Sequence, residues 1–304
     1  MQLFFLRTTK RNSMNEAIKT MLLPYNCKTP NEYKNAFKEI IQEIALLGLS
    51  RQNFFSNAAF YGGTALRLAH GLNRFSEDLD FTLLKADKNF KLSSFLKGIE
   101  NELVAYGLKL TANIKLKRPD STIESAFLKE NTVEIILEIE GWENKKIPLN
   151  RNDLISIKLE IDTDPPSPSG ETKILYATLP IPYSYKILEI PSLFAGKLHA
   201  ILCREYKSGR VKGRDYYDFI WYINKGASVD IRYLEAKLIQ SGHLKINETL
   251  ELVTLKKLLE EKFKSINWES AKKDVLPFIK DPFELEVWSA HFFVGLLEKL
   301  KNSV

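Results

Sequence analysis

The spacing of apolar side chains divides the chain into two halves of different character. In the first half, short apolar runs and one amphipathic stretch predict strands and helices in alternation. The predicted helices cover residues 31–48 and 65–70, and residues 91–115 combine a helix with a strand from 108 to 114. The predicted strands cover residues 58–61, 79–84, 132–139 and 154–162. The last strand alternates strictly between apolar and polar positions, which is typical of a half-buried strand.

A change in pattern follows the proline-rich stretch at residues 164–170, which we predict to be a loop because its prolines exclude regular structure. Beyond a short strand at residues 181–185, the apolar spacing is helical. The predicted helices cover residues 192–206, 216–224, 231–241, 248–263 and 283–301. We therefore expect an α/β (α+β) domain over residues 1–180, with a mixed sheet and flanking helices, and a mainly helical domain over residues 181–304.

Composition narrows the class of protein only slightly. Of the 304 residues, 44% are hydrophobic and 27% charged, which is the balance of a folded globular protein. The 44 Lys and Arg against 38 Asp and Glu give a net charge of +6, which mildly favours acidic partners such as RNA or nucleoside triphosphates. The apolar patch Leu3–Leu6 is too short for a signal peptide or a membrane span, and two cysteines are too few for a disulfide framework. We expect a cytoplasmic protein with no membrane association.

Candidate chemistry is concentrated in the stretch FYGGTALRLAHGLNRFSEDLDF. Asp78 and Asp80, two positions apart on a predicted strand, point to the same face and can share magnesium ions. Gly62 and Gly63, between a strand and a helix, allow backbone amides to approach phosphate oxygens, and Thr64 adds a hydroxyl there. This combination is typical of phosphoryl or nucleotidyl transfer, in which metal ions neutralise the triphosphate.

A third carboxylate is expected on a neighbouring strand. Glu160 fits, because Leu159 and Ile161 flank it with apolar side chains, while Asp162 is a competitor closer to the proline-rich loop. We choose Glu160 as the third ligand and expect Mg²⁺ or Mn²⁺ as the ion.

These residues resemble a known family, the AbiEii/AbiGii-type nucleotidyltransferase toxins of the DNA polymerase β-like superfamily. The likeness covers GGTALRL and RFSEDLDF, the stretch from Lys158 to Thr163, the lysine-bearing helix around Lys197 with Arg204, and the RDxxD motif from Arg214 to Asp218. The final 80 or so residues carry no recognisable motif. Where the family often has arginine after the threonine, this chain has Asp164, so a phosphate contact is absent or supplied elsewhere.

The resemblance implies a role for each matching residue. Asp78, Asp80, Lys197 and Asp215 are expected to be catalytic, with Lys197 as a ligand for triphosphate oxygens. The expected nucleotide-binding residues are Gly62, Gly63, Thr64, Arg74, Ser76, Lys158 and Asp218. The resemblance also implies a toxin that transfers NMP from an NTP to an acceptor and is neutralised by a separately encoded antitoxin. RNA, most plausibly the 3′ end of tRNA, is the expected acceptor.

Structural interpretations stand beside several of these roles. Lys197 lies on an apolar helix and could simply cover it, Asp218 could form a structural ion pair, and Arg74 could pair with Glu77. The basic insertion at residues 207–214 could contact nucleic acid or be a solvated loop.

For the whole chain, two other functions remain open. One is a non-catalytic nucleotide- or RNA-binding module on this fold, against which the intact acids and lysine argue. The other is a phosphotransferase using the γ-phosphate, which the sequence does not separate from a nucleotidyltransferase.

Overall fold

A computed structural model of the chain describes residues 16–113, 132–140, 155–205 and 209–303. Its strands are β1 (Ala58–Tyr61), β2 (Asp78–Leu83), β3 (Lys109–Asn113), β4 (Thr132–Glu140), β5 (Ile155–Asp162), β6 (Thr172–Ala177), β7 (Tyr183–Leu188), β8 (Ser228–Val229) and β9 (Lys301–Asn302). Its α-helices are α1 (Glu16–Leu22), α2 (Pro30–Arg51), α3 (Gly62–His70), α4 (Leu96–Ala105), α5 (Ile190–Cys203), α6 (Gly213–Asn224), α7 (Ile231–Gln240), α8 (Leu252–Ser265), α9 (Trp268–Val275) and α10 (Ala290–Leu296).

Seven strands form one mixed sheet in the order β3-β4-β5-β2-β1-β7-β6. The central strand β2 pairs antiparallel with β1 and parallel with β5, and β1 pairs parallel with β7. This arrangement confirms the predicted mixed sheet with flanking helices. It also places the carboxylate-bearing strand at the middle of the sheet, where neighbours on both sides hold its side chains in register.

Strand β5 shows how the sequence pattern sets the orientation of the sheet. Its apolar residues Ile155, Ile157, Leu159 and Ile161 are at most 1% exposed and face the core. The side chains of Lys158 and Glu160, which lie between them, point to the opposite face. The predicted alternation is therefore confirmed, and it leaves the polar face of β5 for the site.

Helix α2 covers the core face of the sheet. It begins with a capping box in which Thr29 and Glu32 satisfy each other's backbone amides, and proline occupies the first turn, where no amide donor is needed. Along the helix, Phe37, Ile40 and Ile44 are almost fully buried. The predicted helix at residues 31–48 is confirmed, with an extra turn at its C-terminal end.

The helices that follow the sheet pack around aromatic side chains. Phe194 of α5 stacks on Tyr222 of α6 with ring centroids 4.3 Å apart, and Trp268 of α9 stacks on Phe293 of α10 at 4.2 Å. Such pairs add to the hydrophobic stabilisation of the core. None of the helices in the described ranges is long and apolar enough to cross a membrane.

Three predictions about elements need correction. The sheet extends to Leu188, because β6 and β7 form a hairpin on its edge, so the expected limit at residue 180 falls inside that hairpin. The single helix predicted at residues 283–301 is wrong: α10 is flanked there by 3-10 turns and β9. Helix α9 was not predicted, since its polar sequence WESAKKDV buries little apolar surface. The end of the strand predicted at 108–114 and residue 206 lie outside the described residues.

Candidate active site

Asp78 and Asp80 lie at the start of β2. Because side chains alternate along a strand, the two carboxylates point to the same face of the sheet, while Leu79 between them is fully buried in the core. Tyr61 of β1 lies level with Asp80 on one side, and Glu160 of β5 lies level with it on the other. The structure therefore brings the two aspartates and Glu160 together on one face.

Two glycines allow the backbone to approach these carboxylates. Gly62 has a φ of +82°, which favours glycine, and a Cβ there would lie 2.9 Å from Cγ of Asp80. A Cβ on Gly63 would lie 2.8 Å from Oγ of Ser76. Larger residues would push α3 away from the aspartates. The first-turn amides of α3 lack helical partners and therefore form a candidate phosphate cradle.

The hydroxyl of Thr64 has a structural role. It is fully buried and donates a hydrogen bond to the backbone carbonyl oxygen of Asp78. This bond ties the first turn of α3 to the start of β2. The contact of this hydroxyl with nucleotide stays a prediction, and the observed bond fixes the strand.

Arg74 and Asp218, both predicted to bind nucleotide, form a buried ion pair with each other. The guanidinium donates two hydrogen bonds, of 2.6 and 2.7 Å, to the two carboxylate oxygens of Asp218, and a third of 2.9 Å to the carbonyl of Phe75. The side chains are 3% and 0% exposed. This bidentate pair joins the loop before Asp78 to α6, and the alternative pairing of Arg74 with Glu77 is wrong.

Lys197 of α5 lies at the centre of this network. Its ammonium is 2.8 Å from Asp215 and 2.7 Å from Asp218, and Arg204 pairs with the second oxygen of Asp215. Burial alone would lower the pKa of Lys197, but the two aspartates raise it above the usual value, so the ammonium stays charged. Lys197 is therefore more than a lysine that covers apolar surface.

The two groups of acids have opposite electrostatics. Burial, with the charges of Asp78 and Glu160, raises the pKa of Asp80 to about 7, and burial also raises the pKa of Asp78. For Asp215, burial would raise the pKa, but Arg204 and Lys197 together hold it far below its usual range. Neighbouring cations thus compensate the carboxylates on β2 only in part, whereas for Asp215 they outweigh the effect of burial.

Of the two acids on β5, Glu160 is the one beside Asp80. It forms an ion pair with Lys158 on the same strand, so Lys158 contacts a carboxylate in this structure. Asp162 lies level with Thr82, one step further along the sheet, and is only 6% exposed. Buried Lys237 of α7 is close enough for the charge of Asp162 to raise its pKa, although burial lowers that pKa overall.

The donor set is suited to a divalent cation, although no preformed site exists among the described residues: no three His, Cys, Asp or Glu side chains there are arranged to hold a metal. Asp78 and Asp80 supply oxygen donors of the kind that Mg²⁺ prefers. The pKa of Asp80 is raised because burial and the charges of Asp78 and Glu160 outweigh the effect of the nearby lysines. Glu160 has to leave Lys158 before it can act as a third ligand.

Glu77, directly before the aspartates, joins three elements that the sequence did not connect. Its carboxylate is 2.6 Å from Lys38 of α2 and 3.4 Å from Arg214 of α6. Lys38 was not among the predicted site residues. Only its position at the edge of the buried face of α2 could have drawn attention to it. Ser76 also contacts α2, because its carbonyl accepts a 3.1 Å hydrogen bond from Gln42.

In the described part of the basic insertion, residues 209–214, Arg210 and Arg214 contact other parts of the protein. Arg210 pairs with Asp274 at 3.4 Å, and Arg214 is 3.7 Å from the same residue, with its guanidinium 4.3 Å from the ring centroid of Phe278. Half-buried Lys212 lies near Arg204 and Arg214, and its pKa is lowered by burial and by those two charges. The interpretation as a freely solvated loop is therefore wrong for Lys212 and Arg214, whereas the side chain of Arg210 is 74% exposed. Lys207 lies outside the described residues.

The chain is similar to several known proteins. The sequence profile of the family described as nucleotidyl transferase AbiEii toxin, type IV toxin–antitoxin system, matches residues 44–292. The nucleotidyltransferase toxin MenT4 from Mycobacterium tuberculosis is similar in structure, with a TM-score of 0.57 and 16% identity over 95% of this chain and 91% of that one. JHP933 from Helicobacter pylori gives a TM-score of 0.48 and 19% identity over 87% and 90% of the two chains. No curated protein sequence matches the chain.

Proposed function

The chain belongs to the AbiEii family of nucleotidyltransferase toxins, and from this membership we propose that it transfers a nucleoside monophosphate from an NTP to RNA, with a divalent cation at Asp78 and Asp80. Membership of a type IV toxin–antitoxin family implies a cognate antitoxin. The proposal is supported by the group of only partly compensated carboxylates beside the N-terminus of α3, which has no side-chain cap. We place the reaction in the cytoplasm, where NTPs and RNA are present.

Each part of the site has a distinct task in this reaction. Asp78 and Asp80 would hold Mg²⁺ or Mn²⁺, with Glu160 as a third ligand once it leaves Lys158. A divalent cation held there would supply charge to neutralise the triphosphate. The amides of Gly62 and Gly63 bind phosphate oxygens at the start of α3. Ser76, whose hydroxyl lies beside Gly63, adds a donor there.

Lys197 contributes the positive charge that the leaving pyrophosphate requires. Asp215 and Asp218 hold its ammonium in one position, and its charge already acts on Asp80, whose pKa it lowers against the larger effect of burial. A fixed cation near the carboxylates stabilises developing negative charge without reorganisation during the reaction. Lys158 can contact the nucleotide when Glu160 turns to the cation. Asp215 organises the site through Lys197.

RNA is the proposed acceptor because positive side chains border the carboxylates. Lys38 and Arg214 flank Glu77 immediately before Asp78, and Lys212 lies next to Arg214. Cations along one side of the site suit a phosphate backbone and release counterions when they bind it. A tRNA 3′ end offers such a backbone together with a hydroxyl for attack.

The test is a labelling experiment with matched phosphorus labels. The protein is incubated with total RNA, Mg²⁺ and each NTP carrying label at the α- or the γ-phosphate. We expect RNA labelled from the α position only, pyrophosphate as product, and loss of labelling in Asp80→Asn. Label transferred from the γ position would instead indicate a phosphotransferase. Labelled protein or small molecule without labelled RNA would reject RNA as the acceptor.

A further inference from the structure

The chain between α5 and α6 connects the two central side chains of the ion-pair network, Lys197 and Asp215. Residues 204–205 and 209–212 of this connection are described, and both parts are fastened to helices α8 and α9. These two helices carry none of the motifs that led to the site. The site motifs therefore do not account for the contacts of α8 and α9 with this connection.

Helix α8 holds the end of α5. The ammonium of Lys262 donates hydrogen bonds to the carbonyl oxygens of Leu202, at 3.3 Å, and Arg204, at 2.8 Å. Carbonyls in the last turn of a helix have no partner within the helix, so a lysine here both caps α5 and fixes the direction in which the chain leaves it. The guanidinium of the same Arg204 pairs with Asp215.

Helix α9 holds the start of α6 in the same way. The hydroxyl of Ser270 accepts a 3.1 Å hydrogen bond from the amide of Val211 and donates one of 3.0 Å to the carbonyl of Gly209. A Cβ on Gly213 would overlap the carbonyl oxygen of Ala271, so α6 begins in direct contact with α9. Asp274, at the end of α9, pairs with Arg210 and Arg214 on either side of these contacts.

We propose that α8 and α9 form a clamp, made by Lys262, Ser270 and Asp274, that positions Arg204 and Asp215 for nucleotidyl transfer. Lys262 is the positioning residue closest to the site, because it holds the backbone of the residue that pairs with Asp215. Arg204 and Lys197 share this aspartate. When Arg204 is released, Asp215 attracts Lys197 alone, and the ammonium is less available to triphosphate oxygens. This role rests on the proposed function.

Lys262→Met tests the clamp, with Lys262→Arg as the conservative variant. Lys264→Met is the matched control, because Lys264 lies on the same helix, is 62% exposed and pairs only with Glu260 at the surface. Ser270→Ala is a milder second variant that loosens α9 without leaving a buried charge. Two quantities are measured for each: amide hydrogen exchange over residues 204–213, and the KM and kcat of RNA labelling.

We expect Lys262→Met to speed exchange over residues 204–213 and to lower kcat/KM for NTP about tenfold, mainly through KM, as loss of an outer positioning contact typically does. Lys262→Arg should recover most of both quantities, Ser270→Ala should show a smaller change of the same kind, and Lys264→Met should match the parent protein. Combined with Arg204→Met, Lys262→Met should add little further loss, because both act through one contact.

Unchanged exchange in Lys262→Met and Ser270→Ala would overturn the clamp, whatever the protein's activity. Faster exchange with unchanged KM and kcat would overturn its positioning role. Absence of RNA labelling in the parent protein would instead reject the proposed acceptor, while hydrogen exchange would still test the clamp independently.

Discussion

Two groups of acids, one on β2 and one on α6, differ in how their charge is balanced. On β2, Asp78 and Asp80 are close to each other and to Glu160, and burial together with this crowding raises the pKa of Asp80 to about 7. On α6, Asp215 and Asp218 share three cationic side chains, and the pKa of Asp215 is held far below its usual range. The β2 carboxylates keep an excess of negative charge, while those on α6 are paired with cationic side chains.

The same residue type therefore has two different roles in one site. A buried ion pair with satisfied hydrogen bonds holds elements together and costs much to break. Crowded carboxylates destabilise the protein until a cation compensates them, so they mark the place where a ligand binds. Removing an acid should therefore have opposite effects on stability in the two groups.

The largest effect is expected on catalysis at β2. Asp80→Asn should lower RNA labelling about a thousandfold or more, because a cation bound there contributes several kcal/mol to the transition state. The variant should remain folded, since the strand does not need the charge. Labelling kinetics with circular dichroism as a folding check measure both. Activity within tenfold of the parent protein would show that Asp80 does not hold the cation.

Breaking the network should mainly affect folding. Arg74→Met leaves a fully buried Asp218 with Lys197 alone, and should lower the free energy of unfolding by about 3 kcal/mol. Arg210→Met is the control, because Arg210 is 74% exposed in its pair with Asp274 and should cost less than about 1 kcal/mol. Urea denaturation measures both. Equal losses in the two variants would contradict the distinction between a structural pair and a surface pair.

At Asp80, removing the charge should stabilise the protein, and the gain in the free energy of unfolding should depend on pH. The raised pKa of Asp80 means that, between about pH 4 and 7, the folded protein retains a proton that the unfolded chain has released. Metal-free stability should therefore fall as pH rises through this window and stay level above it. Asp80→Asn removes that loss and should be more stable than the parent protein at pH 8, by up to about 4 kcal/mol. The gain should shrink towards pH 4; a gain independent of pH would argue against the titration.

The smallest effect is expected at the basic side chains that border the carboxylates. Lys212→Glu should slow RNA labelling about fivefold and make its salt dependence shallower, with the KM for NTP unchanged, because a phosphate contact is lost. Lys264→Glu, on the exposed face of α8, is the control. An equal effect of the two substitutions would mean that only overall charge matters.

Local patterns allowed much of the site to be predicted from the sequence. Asp78, Asp80 and the glycines lie within one strand–helix–strand unit, and the alternation of β5 placed Glu160 on the correct face. Long-range pairs left no such signal. Arg74 and Asp218 are 144 residues apart, so phosphate binding and a structural ion pair were equally consistent with the sequence. Lys262 and Ser270 act through backbone groups, which no side-chain pattern records.

We infer that the carboxylates on β2 bind a divalent cation and that those on α6 do not. Binding of Mn²⁺ at pH 8, followed by electron paramagnetic resonance, tests it most directly on the parent protein, Asp80→Asn and Lys197→Met. We predict that the parent protein and Lys197→Met bind Mn²⁺, and that Asp80→Asn loses at least about tenfold in affinity. Equal Mn²⁺ binding by Asp80→Asn and the parent protein would contradict the account.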